Sequence, residues 1–200
     1  MKKMIFGILA GTALLFTSCL SDDDDYYSLD KFWMQMGIVG KQGSDGYTVT
    51  LDDGSVIYPV AGLYIGHRLS DNERVMVNYT ILGDKMVSDT LKEYYVKVNA
   101  VDKVLSKGIV DIRPDLEDSI GNDPINVKDI WISKNQMLNV QFKYFGNYKT
   151  HFINLVKQPG NLTADKQPVL LELRHNENHD PRDFILTGIV SFDLSAIRIA

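Results

Sequence analysis

The chain has 200 residues and a formal net charge of −5; 44% of it is hydrophobic, 10% aromatic and 24% charged. This composition suits a folded chain with room for one large domain or two small ones, and it excludes collagen-like, low-complexity and wholly disordered classes. A single Cys excludes an internal disulfide framework or a Cys-rich zinc module. No apolar run reaches the roughly 18 residues expected of a spanning helix.

The first residues predict the compartment. Met1 to Met4 carry two Lys, Ile5 to Phe16 is apolar apart from Gly and Thr, and Thr17 and Ser18 are small. This is the three-part layout of a secretory signal, predicted to be removed over residues 1–18. Twelve apolar residues at 1.5 Å rise reach roughly 18 Å, short of a ~30 Å hydrocarbon core. The run Phe16-Thr17-Ser18-Cys19 resembles the lipobox of bacterial lipoproteins. That resemblance implies a diacylglycerol thioether and further acylation, such as palmitate, on Cys19. Each buried CH₂ of such chains contributes about 0.8 kcal/mol, so two or more hold a protein stably on a membrane.

Loss of the leader removes Lys2 and Lys3 and no acid, leaving 19 basic residues against 26 acidic, a net charge of −7. That opposes nucleic acid or any other polyanionic partner. Residues 19–28 are expected to form an acidic tether. Its charges, Asp22, Asp23, Asp24 and Asp25 after Ser21, must stay solvated. An acidic run just after the lipidated Cys resembles the surface-export signal of Bacteroidota lipoproteins. The expected location is therefore the outer membrane, lipid-anchored, on its outer face, with the periplasmic face as the alternative.

From Tyr26 onward the dominant period is two. Val75, Val77, Tyr79 and Ile81 alternate with Met76, Asn78 and Thr80, and Leu138, Val140, Phe142 and Tyr144 with Asn139, Gln141 and Lys143. Asp52-Asp53-Gly54 between two short runs is a hairpin signal. The pattern predicts strands over 31–41, 46–51, 55–60, 73–82 and 93–105, then over 126–133, 137–145, 149–157, 168–175 and 184–194. A short helix is the best reading of Thr90–Tyr94. The acidic stretch from Asp115 to Pro124 reads as a linker. The predicted fold class is all-β: a five-stranded OB-like barrel over residues 29–113, followed by a small β-sandwich over residues 114–200.

Several stretches together resemble the NigD-like lipoproteins of Bacteroidota: Asp25–Trp33, Val75–Leu82, Tyr95–Asn99, Glu117–Pro124, Phe152–Lys157, Leu173–Asn176 and Gly188–Phe192. The resemblance covers essentially the mature chain. It implies an N-terminal OB domain, a C-terminal β-sandwich and a place on the cell surface. The family takes its name from a gene in a bacteriocin operon, which implies an immunity or accessory role.

Candidate chemistry is sparse. The stretch Arg174-His-Asn-Glu-Asn-His-Asp180 places His175 and His179 four apart, but four extended residues span roughly 13 Å, too far to share one ion. It reads as a solvated turn, so no metal site and no cofactor are expected. No Gly-x-Ser-x-Gly elbow, Walker loop or dinucleotide glycine pattern occurs, and no catalytic residue is expected. Phe32, Trp33, Tyr47, Tyr58, Tyr64, Tyr79, Tyr94 and Tyr95 are expected mostly inside the barrel or at a domain interface. Asp89-Thr90-Leu91 and Asp118-Ser119-Ile120 resemble the Bacteroidota O-glycosylation site, which implies exposed, modified Thr90 and Ser119. The expected function is a non-enzymatic binding or accessory module. Its partners are the membrane, through the lipid, and an extracellular protein or glycan. The alternatives are a bacteriocin immunity protein and a surface glycan hydrolase.

Overall fold

A computed structural model describes residues 27–160 and 168–197. Cys19 and Ser21 to Asp25 lie outside the described residues. The first five strands are β1 (Trp33–Gln42), β2 (Gly46–Leu51), β3 (Val56–Gly62), β4 (Arg74–Ser88) and β5 (Leu91–Lys103). They close into a barrel in the order β1-β2-β3-β5-β4, with β1 returning to pair with β4. The β3–β5 pair is parallel and the others are antiparallel.

The alternation read from the sequence is the inward face. Val75, Val77, Tyr79 and Ile81 are buried with Val39, Val49, Leu51, Ile57, Val96 and Val98. Each fully buried aliphatic side chain contributes about 1.5–3 kcal/mol. Closure needs bare backbone at Gly37, where a Cβ would stand 2.5 Å from Val49 Cγ1 and 2.6 Å from Thr50 O. The expected hairpin is present, turning at Gly54 with φ of +87°.

The remaining strands are β6 (Leu105–Lys107), β7 (Ile109–Asp111), β8 (Asn126–Ile132), β9 (Met137–Gly146), β10 (Phe152–Lys157), β11 (Glu172–Asn176) and β12 (Phe184–Asp193). They form a sheet in the order β6-β12-β9-β8 and a second in the order β11-β10-β7. Val140, Phe142, Ile153, Leu155, Val190 and Phe192 fill the space between them. Lys107 joins the sheets, its ammonium donating to Ile153 O at 3.0 Å and to the Asn154 side chain.

Three expectations are corrected. The expected boundary after Arg113 lies too late, because β6 pairs with β12 and β7 with β10, so residues 105–111 already belong to the sandwich. Three-residue strands carry no readable period, which is why they escaped the pattern. Asp115–Pro124 is not a bare linker: it holds one helical turn, α1 (Glu117–Ile120), with Ile120 buried. Thr90–Tyr94 is not helical; it is a turn running into β5.

One buried charge joins barrel to sandwich. Arg74 opens β4 and is only 1% exposed. Its guanidinium forks onto Asp52 in the β2–β3 turn at 2.5 and 2.7 Å. The same group donates to Ser191 Oγ on β12 at 3.0 Å and to Asn139 Oδ1 on β9 at 2.9 Å. Ser191 Oγ closes the ring by donating to Asn139 Oδ1 at 2.6 Å. Lys134 N–H donates to Asp52 O at 3.0 Å beside it. A buried guanidinium is tolerable only when its donors are used, and here Asp52 supplies the charge while Asn139 and Ser191 supply the remaining acceptors.

Removing one partner strands the other. Arg74→Met is expected to lower the unfolding free energy by about 3 kcal/mol, read from the urea midpoint. A loss under about 1 kcal/mol, the range of an exposed pair, would contradict this role.

Candidate binding cleft on the sandwich

At the end of the four-stranded sheet, residues of β8, β9 and β12 enclose an open cleft of about 420 Å³. Ile125, Tyr144, Phe145 and Ile185 form its apolar walls; Lys128 and Lys143 stand in its lining. Phe145 and Ile185 are register partners on the face turned away from the core, 53% and 64% exposed. Lys143 lies between Asn126 and Thr187 in the same sheet. Lys128 is the extra residue of a bulge, where β8 slips register between Val127 and Asp129. A bulge bends the strand and re-aims its side chains.

A buried polar cluster backs the cleft. Tyr144 lies 4.7 Å from the His151 ring and 5.9 Å from the His175 ring, centroid to centroid. The two imidazoles are stacked at 5.0 Å, with His151 Nδ1 2.9 Å from His175 Nε2. His151 Nε2 lies 3.2 Å from Asp180 Oδ2. Asp180 also accepts N–H bonds from Lys149 at 2.9 Å, from Tyr148 at 3.2 Å and from Asn147.

Local backbone geometry makes this possible. Asn178 and His179 both sit at positive φ, 54° and 53°, and fold the chain back so that Asp180 turns inward. Asn and His are enriched among non-glycine residues in that region. Gly146 leaves room, since a Cβ there would lie 2.9 Å from Asp180 Oδ2 and 3.0 Å from His151 Nε2.

Burial alone would raise the Asp180 pKa. The N–H groups of Asn147 and Lys149, then His151 and Tyr148, outweigh it and lower the pKa to about 2. An ionised Asp180 accepts from His151 Nε2–H. His151 Nδ1 then accepts from His175 Nε2–H, which leaves His175 Nδ1 buried without a hydrogen-bond partner among the described residues. Burial, and next the neighbouring His151, lower the His175 pKa against the opposing pull of Asp123.

The segment around β11 is tied down elsewhere too. Asp123 N–H donates to His175 O at 2.8 Å, and the Asp123 carboxylate accepts from Glu177 N–H at 2.8 Å. Arg174 bonds Gly121 O and Glu117, which fixes α1 on β11.

The sequence-derived candidates fall in several places. His175 and His179 do not meet: His175 is buried in β11 beside His151, and His179 is exposed. The solvated-turn reading is therefore corrected for His175 and Asp180, which pack inward. Thr90 is exposed in the β4–β5 turn, and Ser119 is exposed on α1 with its hydroxyl donating to Leu116 O. Tyr47 and Tyr79 fill the barrel, and Trp33 stacks on Tyr79, whereas Phe32 and Tyr64 lie outside. No group of three His, Cys, Asp or Glu among the described residues could hold a metal ion.

The barrel topology and the two-sheet module define a protein of the OB-barrel-plus-β-sandwich class. The NigD-like N-terminal OB domain model matches residues 36–104, and the NigD-like C-terminal beta sandwich domain model matches residues 108–199. The chain belongs to the NigD-like family.

A crystal structure from Parabacteroides distasonis, of a protein named as toxin-related, is 34% identical with a TM-score of 0.68, covering 82% of this chain and 79% of that one. One from Bacteroides vulgatus, of unknown function, is 30% identical with a TM-score of 0.68, covering 82% and 76%. A NigD-like immunity protein from Bacteroides caccae, 20% identical with a TM-score of 0.59 over 88% and 81% of the chains, shares the fold. No curated protein matches the chain.

The two depressed pKa values set an acid response. In the unfolded chain a His takes its proton near pH 6.5 and an Asp near 3.9. Below about 6.5 the unfolded state binds a proton that folded His175 refuses, so stability falls as pH drops towards the lowered value. A second loss follows below about 3.9 as pH approaches the Asp180 value of about 2. The urea midpoint is expected to fall between pH 7.5 and 5.5, and His175→Gln to flatten that slope; an unchanged slope would contradict the assignment.

Proposed function

We propose that this protein is a non-enzymatic binding or accessory module, held on the outer face of the outer membrane by lipid on Cys19. The acidic run from Asp22 to Asp25 keeps the tether solvated, and barrel and sandwich face outward as one body. The observation that carries the binding role is the sandwich cleft. Its lining exposes Phe145 and Ile185, and Tyr144 beside them packs on the His151–His175 pair on the core side of the sheet. A cleft of a few hundred Å³ with apolar walls and a few polar groups is the usual form of a small-ligand site. The His151–His175–Asp180 group supports a non-enzymatic reading, since His175 is 2% exposed and Asp180 5%. A group sealed in this way braces the fold instead of meeting substrate.

The name of the Parabacteroides distasonis relative favours a second reading, in which the partner is a secreted toxin and the protein confers immunity. A deletion strain would then become sensitive to a neighbouring strain's bacteriocin.

Anchoring is tested on intact cells. The wild-type chain is expected in the membrane fraction and digested by added protease, and Cys19→Ala is expected in a soluble fraction. A wild-type chain protected until the outer membrane is breached would contradict the outward orientation. An unacylated chain that still begins at Met1 would contradict the anchor.

A further inference from the structure

We infer that the sandwich cleft binds a small amphiphilic anion, a carboxylate, sulfate or phosphate carried on an apolar chain or ring. This deepens the binding reading above and rests on it. The apolar half of the inference comes from the exposed pair Phe145 and Ile185, with the half-buried Ile125 in the same lining. Exposed side chains of this size, gathered at one concave place, are a cost to a soluble surface unless something covers them.

The charged half comes from Lys128 and Lys143. Both line the same cleft, and among the described residues neither ammonium lies within 4.0 Å of a carboxylate oxygen. The neighbouring acids Asp129 and Asp123 each accept a backbone N–H, from Ile130 and Glu177 respectively. Two like charges beside low-dielectric walls repel each other, and the repulsion is relieved when an anion sits between them. They stand out further on a chain whose net charge is −5, where a cationic pocket is not a sample of the general surface.

Geometry supports a site that is already formed. The bulge at Lys128 brings an edge-strand side chain to the cleft that Lys143 also lines. Behind the sheet, the stacked imidazoles and the Asp123 bond to His175 hold β10, β11 and the segment leading into β8 in place. A ligand therefore meets little reorganisation cost on entry. The cleft is open on one side, so its volume of about 420 Å³ suits an apolar body whose far end stays in solvent. An apolar group lies across the Phe145–Ile185 pair, and the acid group meets the two ammonium groups.

The test uses the secreted body after the tether, folded as judged by circular dichroism. The probes are anilinonaphthalene sulfonate, its neutral phenylnaphthylamine counterpart, decanoate and decyltrimethylammonium. The sulfonate probe is expected to bind with one-to-one stoichiometry, to be displaced by decanoate and not by the cationic amphiphile, and to weaken as salt rises. Lys128→Gln with Lys143→Gln is expected to weaken it about tenfold, which is about 1.4 kcal/mol for the two charges together. Ile185→Asp is expected to abolish it.

Equal binding of the neutral probe, unaffected by the double Lys variant but lost in Ile185→Asp, would overturn the anion inference and leave the cleft as a binding site. No binding of any probe would overturn both. Sedimentation with phosphatidylglycerol vesicles but no response to decanoate would place the anion in a membrane surface and overturn the small-ligand inference.

Discussion

A single guanidinium sets the relation between the two halves of this protein. Arg74 belongs to the barrel by sequence, but its donors are divided between Asp52 in the barrel and Ser191 and Asn139 in the sandwich. Every acceptor must be in place for the charge to remain buried, so the two domains hold one orientation or leave a charge stranded. Backbone bonds strengthen the joint, with Val104 N–H on Arg74 O and Lys134 N–H on Asp52 O at 2.9 and 3.0 Å. The short connection from β5 into β6 then leaves little freedom. A two-domain body on a solvated tether gains from such stiffness, because whatever one domain holds is presented at a defined angle to the other.

The sandwich repeats the same device on a smaller scale. Asp180 is inward-facing and ionised, and its N–H and imidazole partners fix the turn after β9, the start of β10 and the end of β11. Tyr144 leans on that assembly from the core side of β9, while its neighbours Lys143 and Phe145 point to the outer face. Neither polar cluster adds much apolar burial. Each converts the cost of a buried charge into a single allowed geometry.

Much of the fold was legible in the sequence because period two survives wherever a strand has one face in a core. The alternation over Val75–Ile81 and Leu138–Tyr144 marked inward faces, and Asp52-Asp53-Gly54 marked a turn that the structure contains. The boundary was misread because β6 and β7 are three residues long and take their identity from partners far along the chain. The candidate site was legible only in fragments. His175 and His179 drew attention by spacing, whereas the pairing is between His175 and His151, 24 residues apart. Arg74 gave no sign of burial, since its acceptors lie 22, 65 and 117 residues away. Lys128 reads as an ordinary edge lysine until the bulge is seen. Charge burial and bulges are tertiary facts, and local composition carries no trace of them.

Asp52, Arg74, Asn139 and Ser191 act as one unit across the two domains. A double-mutant cycle combining Asp52→Asn in the barrel with Asn139→Ala in the sandwich measures this most directly, because the two side chains meet only through the guanidinium. A coupling energy of about 1 kcal/mol or more is expected in urea unfolding. Additivity within about 0.3–0.5 kcal/mol, the behaviour of independent sites, would contradict it.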